Sequence, residues 1–171
     1  MGRAWLVGNA LWLQAGWWAC VLGARTPAWL LVIPVGLALH LWLCPAPREE
    51  VWALLRVALL GCIADSLLGL LGVFVFEAWP LPLWLALMWL VLACGMRHSL
   101  AWAGRVPWCG ALAGLVGGPL AYLAGARLAG VELPLGAMGT GLLLAPLWAL
   151  GLPWLAKVGS GRECGSGLAA R

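Results

Sequence analysis

The sequence predicts an all-α integral membrane protein, a six-helix bundle with both termini on the cytoplasmic side. Three observations predict it: an extreme apolar composition, long apolar runs divided by short polar turns, and basic residues gathered on one set of those turns. Of 171 residues, 64% are hydrophobic and only 9% are charged, against about 45–50% and about 25% in an ordinary soluble domain. A soluble fold could not cover so much apolar surface with so few charges. The formal charge of +4 comes from basic residues set singly between apolar runs. That is the pattern of loop charges at a membrane face, so no nucleic-acid partner is expected. One Lys beside nine Arg points to a GC-rich bacterial source.

The first span covers residues 4–24, long enough to cross about 30 Å of hydrocarbon at about 1.5 Å per residue. It lacks the small-residue cleavage pattern of a secretory signal, and Leu6 breaks the myristoylation pattern begun by Met1-Gly2. After the turn Arg25-Thr26-Pro27, the second span covers 27–44. The stretch PAPREE, 45–50, reads as a polar loop, followed by the third span over 51–76. A turn with Pro80 and Pro82 leads to the fourth span, 83–102, which Arg97, His98 and Ser99 interrupt near its end. The fifth span covers 106–128 and the sixth 135–156, closing a transmembrane domain over 1–158. The Gly/Ser-rich tail 159–171 is expected to be disordered.

Charge tests the six-span topology. It places Arg3, Arg48, Arg56, Arg97, Arg105, Lys157, Arg162 and Arg171 on the side of the termini, and only Arg25 and Arg127 opposite. A re-entrant fifth segment with five true spans would move Lys157, Arg162 and Arg171 across and remove that asymmetry. The positive-inside rule therefore favours six spans. Many of the 14 Trp residues, among them Trp5, Trp29, Trp42, Trp79, Trp102 and Trp154, fall near span ends, where an amphipathic ring suits the headgroup region. The cysteines at 20, 44, 62, 94, 109 and 164 form no CxxC and no metal-ligand spacing with a nearby His. They read as small apolar side chains rather than a disulfide framework.

The fifth span organises the rest. Gly110, Gly114 and Gly118 recur every fourth residue and clear one helix face for close backbone approach, which drives packing in lipid. Gly61 and Gly69 of the third span lie on one stripe with Asp65. An ionisable group inside a span is costly and is by default a functional hypothesis. By depth along their spans, Asp65 with Ser66, Tyr122 and Arg127 are expected to form an intramembrane polar pocket in the outer half. A second polar group, Asn9, His40, Arg56, His98 and Ser99, falls in the inner half. No cofactor is expected; a haem or metal held between His40 and His98 is the alternative reading of two histidines at one level. Asn9, Gln14 and Thr140 read as interhelical hydrogen-bond glue. No phosphate-binding loop, nucleophile elbow, zinc-protease or dinucleotide motif is present.

Asn9 with Gln14 and Trp17, then His40, Asp65-Ser66, His98-Ser99-Leu100 and above all GGPLAYLAGARL, 117–128, resemble a bacterial family of small multi-pass inner-membrane proteins known only as a domain of unknown function. The resemblance extends to about Pro153. It implies a six-helix bundle in the bacterial inner membrane and supplies no catalytic residues. Through an association with fatty-acid-modifying enzymes it tilts the expectation toward membrane-lipid handling. The reading is an accessory, non-enzymatic protein whose partner is membrane lipid, with a homodimer or another membrane protein as a further partner. Its rivals are a small proton-coupled transporter with Asp65 as coupling carboxylate, and a membrane enzyme acting on lipid through His40 and His98.

Overall fold

The computed structural model describes residues 2–161, and among them the chain is all-helical. The described residues form seven α-helices: α1 (Arg3–Gly23), α2 (Val32–Leu43), α3 (Pro47–Leu70), α4 (Leu83–Met96), α5 (Ala101–Arg105), α6 (Pro107–Ala129) and α7 (Gly136–Gly159). A 3-10 turn, Pro27–Leu31, feeds directly into α2. The only strand-like pairing among the described residues is an isolated antiparallel bridge between Val75 and Glu132. Helices α3, α6 and α7 are long and apolar enough to cross a membrane; at about 1.5 Å per residue each measures roughly 35 Å.

Four element boundaries differ from the sequence expectation. Helix α3 begins at Pro47, so Arg48, Glu49 and Glu50 form its first turn rather than a loop. Pro47 occupies the first helical turn, where its missing N–H costs nothing, and the two carboxylates meet the positive end of the helix dipole. The same helix stops at Leu70, not near residue 76. Gly72, at φ 74°, takes the left-handed conformation, and the N–H groups of Gly72 and Val73 donate to the carbonyls of Gly69 and Leu68. This pair of bonds closes the helix as a Schellman motif. The chain then folds inward to bury Val73 and Phe74. The expected fourth span is broken: α4 ends at Met96, a turn runs through Arg97–Leu100, and the short α5 follows. Polar contacts described below hold that turn. Helix α7 extends through Gly159, into the stretch expected to be a disordered tail; residues 162–171, with Cys164, lie outside the described residues.

The glycine stripe of α6 is used within the chain. A methyl group built on Gly114 would run into the Trp148 carbonyl of α7, one on Gly118 into the Trp148 ring, and one on Gly110 into the Ala103 carbonyl of α5. Gly61 lies under the Trp89 ring of α4, while Gly69 faces the Phe76 ring more loosely, at 3.0 Å from its ideal Cβ. The core joins Val57 of α3, Ala93, Cys94 and Met96 of α4, Ala103 of α5 and Ala156 of α7. The outer faces are apolar: Leu11 is 66% exposed, Val35 70% and Met138 81%. Both ends of the described chain meet the end of α4 or the turn after it, since Gly159 packs on Met96 and Trp5 bonds to His98. The five described cysteines are free thiols.

Candidate functional site

Helix α3 organises both polar clusters, because its buried residues form one stripe: Glu50, Ala53, Leu54, Val57, Ala58, Gly61 and Asp65. The spacing repeats every three or four residues, the signature of a single helix face. A buried carboxylate stands at each end of it.

Asp65 is fully enclosed and accepts two short hydrogen bonds. The Tyr122 hydroxyl of α6 donates to Oδ1 at 2.7 Å, and the Trp89 indole of α4 donates to Oδ2 at 2.7 Å. Trp89 stacks on Trp148 of α7 with ring centroids 5.8 Å apart and planes 7° apart, and Tyr122 stacks on Phe74 at 5.6 Å. The carboxylate therefore fixes an aromatic wall contributed by α4, α6, α7 and the loop after α3.

That wall separates two cavities. The first, about 320 Å³, lies between α1, α4, α6 and α7, and is bounded by Trp17, Met88, Ala121, Gly125 and Trp148 with the Tyr122 and Trp89 rings. The second, about 330 Å³, lies on the α3 side, against Gly61, Asp65, Leu144 and Gly151, and shares Trp89, Tyr122 and Trp148. On α6 the small residues do two different things. Gly110, Gly114 and Gly118 accommodate neighbouring helices, whereas a methyl group on Gly117 would meet nothing within 4 Å and one on Gly125 only Val21 at 3.9 Å. Gly117 and Gly125 both border the first cavity, on the α1 side of the wall. Their missing side chains leave room there.

Arg127 does not join this group. It is exposed, and five residues on from Tyr122 it points roughly 140° around the helix. Depth placed the two together and azimuth separates them. Ser66 is half-buried and makes no side-chain hydrogen bond among the described residues.

The second cluster is centred on Glu50, which the sequence reading left in a polar loop. Its side chain is fully buried. Oε1 lies 2.9 Å from His40 Nε2 of α2 and 3.2 Å from His98 Nε2 of the turn after α4. Oε2 lies 3.6 Å from Arg97 Nε and 3.8 Å from the Cys44 thiol. Arg97 also donates to Glu49 Oε2 at 2.8 Å. Trp5 of α1 covers the cluster: its indole stacks on His40 at 5.9 Å and donates to His98 Nδ1 at 3.2 Å. Asn9 holds the same turn from α1. Its amide donates to the Cys94 carbonyl at 3.0 Å, and its Oδ1 accepts from the Ser99 N–H at 3.2 Å and hydroxyl at 2.6 Å. These bonds and the Arg97–Glu49 pair explain why the fourth span breaks where it does.

Of the expected inner group, His40 and His98 meet at Glu50 and Asn9 meets Ser99. Arg56 stands apart, exposed and bonded to the Trp52 carbonyl of its own helix. Six residues on from Glu50, it sits about 120° away around the helix. Gln14 is exposed, and Thr140 is buried with its hydroxyl unpaired among the described residues, so of the three expected polar links only Asn9 forms one. The signal for Glu50 was present in sequence. It lies eleven residues before Gly61, three helical turns along the stripe of Asp65, once α3 is allowed to start at Pro47.

An all-helical chain with an apolar exterior and helices of crossing length defines the class, a protein of membrane character. The chain belongs to the family described as Protein of unknown function (DUF2878), whose model matches residues 6–154 and so takes in both carboxylates and their partners except Trp5. Neither a curated protein nor a solved structure matches it.

Proposed function

We propose that the protein is an integral membrane protein of six crossings, with both termini cytoplasmic in a bacterial inner membrane, that takes the acyl chain of a membrane lipid into the cavity between α1, α4, α6 and α7. Its role is accessory, presenting or sequestering lipid rather than transforming it. The observation that carries this reading is the cavity itself, walled by apolar side chains and left open by Gly117, Ala121 and Gly125. The recess is half open rather than sealed, so material from its surroundings can enter it. In a bilayer the material at hand to fill it is hydrocarbon. Asp65 supports this role as a fixed brace: both its oxygens are engaged by the donors of the aromatic wall. A coupling carboxylate for transport would have to give up both bonds.

Native mass spectrometry of the protein extracted gently from its own membrane tests the reading. The wild type is expected to retain about one phospholipid or fatty-acyl species, and Gly125→Leu, which places its side chain in the cavity, to lose most of it while staying folded. Equal retention by both proteins would contradict the proposal.

A further inference from the structure

We propose that His40, Glu50 and His98 form a three-ligand site for a divalent transition-metal ion of the zinc type. One ligand atom from each, a ring nitrogen of either histidine and a carboxylate oxygen, all lie within 4.8 Å of one another. The pairs measured from Glu50 Oε1 are 2.9 Å to His40 and 3.2 Å to His98. Around a tetrahedral ion with ligands at about 2.0–2.1 Å, adjacent ligand atoms stand roughly 3.3 Å apart. Two of the three edges thus already have the spacing that such an ion imposes, and the third, between the histidines, is no longer than 4.8 Å, with a fourth position left for water or another ligand.

A second observation points the same way. His98 Nε2 is buried and within ion-pair distance of Oε1, yet it has no hydrogen-bond partner. At 3.2 Å from Oε1 it is close enough for an ion pair but does not meet hydrogen-bond geometry. A buried polar nitrogen is rarely left unpaired, and an ion set between the two histidines and Glu50 would satisfy it. The surroundings resemble a supporting shell. Arg97 and the Cys44 thiol engage Oε2, which leaves Oε1 turned toward the histidines. Because the ligands come from α2, α3 and the turn after α4, a bound ion would tie three elements at one end of the bundle.

One contact opposes the ion and makes the proposal sharper. The Trp5 indole donates to His98 Nδ1, which places the proton of a neutral His98 on Nε2. Binding through Nε2 moves that proton to Nδ1 and requires the indole to turn away. Trp5 therefore competes with the ion, and its removal strengthens binding. None of the three ligands lines either cavity, so the site stands independently of the lipid reading.

The test is a titration of the whole protein in nanodiscs, stripped with chelator, with Co²⁺ followed by visible absorption and then displaced by Zn²⁺. One equivalent is expected, with the band of a low-coordinate nitrogen–oxygen site. Glu50→Gln and His98→Asn are each expected to weaken binding by more than about 100-fold, since loss of supporting contacts alone typically costs 10–100-fold. Trp5→Phe keeps all three ligands and is expected to tighten binding by about tenfold, on the scale of such supporting contacts. Absence of saturable Co²⁺ binding in both the wild type and Trp5→Phe would overturn the proposal, as would binding unchanged by both ligand substitutions. These outcomes do not require Glu50→Gln to fold.

Discussion

Gly114→Ala is expected to lower the stability of the protein by at least about 3 kcal/mol, while Gly117→Ala, three residues away on the same helix, leaves it unchanged or slightly raised. The added atom is the same in both. At Gly114 it meets the Trp148 carbonyl of α7, and at Gly117 it meets nothing within 4 Å. A flexible side chain could move aside, but a carbonyl inside α7 cannot without shifting the helix. The α6–α7 contact is among the closest in the fold, so the strain cannot be absorbed locally. Overpacking against side chains typically costs about 1–3 kcal/mol, and a backbone obstacle belongs at or above the top of that range. Alanine also gains about 0.5–1 kcal/mol over glycine in a helix interior, which sets the sign at Gly117. Thermal unfolding in detergent reads both variants. Equal midpoints would mean that the stripe is not a packing surface within this chain.

Asp65→Leu is expected to cost about 2–4 kcal/mol, and much of that loss should disappear when Tyr122 is replaced as well. Leucine fills similar space but accepts nothing, leaving the Tyr122 hydroxyl and the Trp89 indole as buried donors. Each stranded donor costs about 1–3 kcal/mol. Hydrogen bonds between membrane helices average nearer 0.6 kcal/mol, because the unfolded chain also finds partners. The larger figure applies here because aromatic packing holds both donors in place, away from substitutes. Tyr122→Phe removes one donor, so the double variant Asp65→Leu, Tyr122→Phe should be clearly more stable than the sum of single losses predicts. Asp65→Asn retains an acceptor and should fall between wild type and leucine. Additive losses would remove Asp65 as the brace of the aromatic wall.

Much of this architecture was legible in the sequence. The all-helical class follows from apolar run lengths, and the buried stripe of α3 from Gly61 and Asp65. The Asp65–Tyr122 contact was reached by counting depth along two helices that run the same way. Depth alone says nothing about azimuth, which is why Arg127 and Arg56 were grouped with residues they do not touch. Glu50 was missed because a charged run between apolar stretches resembles a solvated loop. The pairing that buries it depends on His40, His98 and Arg97, up to 48 residues away in sequence and invisible to any local window. The break after Met96 has the same origin, since Asn9 and Glu49 hold that turn from other helices. Small residues carried an ambiguous signal. Glycine allows close packing or leaves open space, and only the neighbours show that Gly114 does the first and Gly117 the second.

Photolabelling shows whether the cavity beside the Tyr122–Trp89 wall holds an acyl chain. The protein would be reconstituted with a phospholipid carrying a diazirine along its acyl chain, irradiated, and its labelled residues mapped. Label is expected to concentrate at cavity residues such as Met88, Ala121 and Trp17, and to be abolished there in Gly125→Leu while the label on outward residues such as Leu11 and Val35 persists. Label spread evenly over the outer faces, with the same distribution in Gly125→Leu, would contradict it.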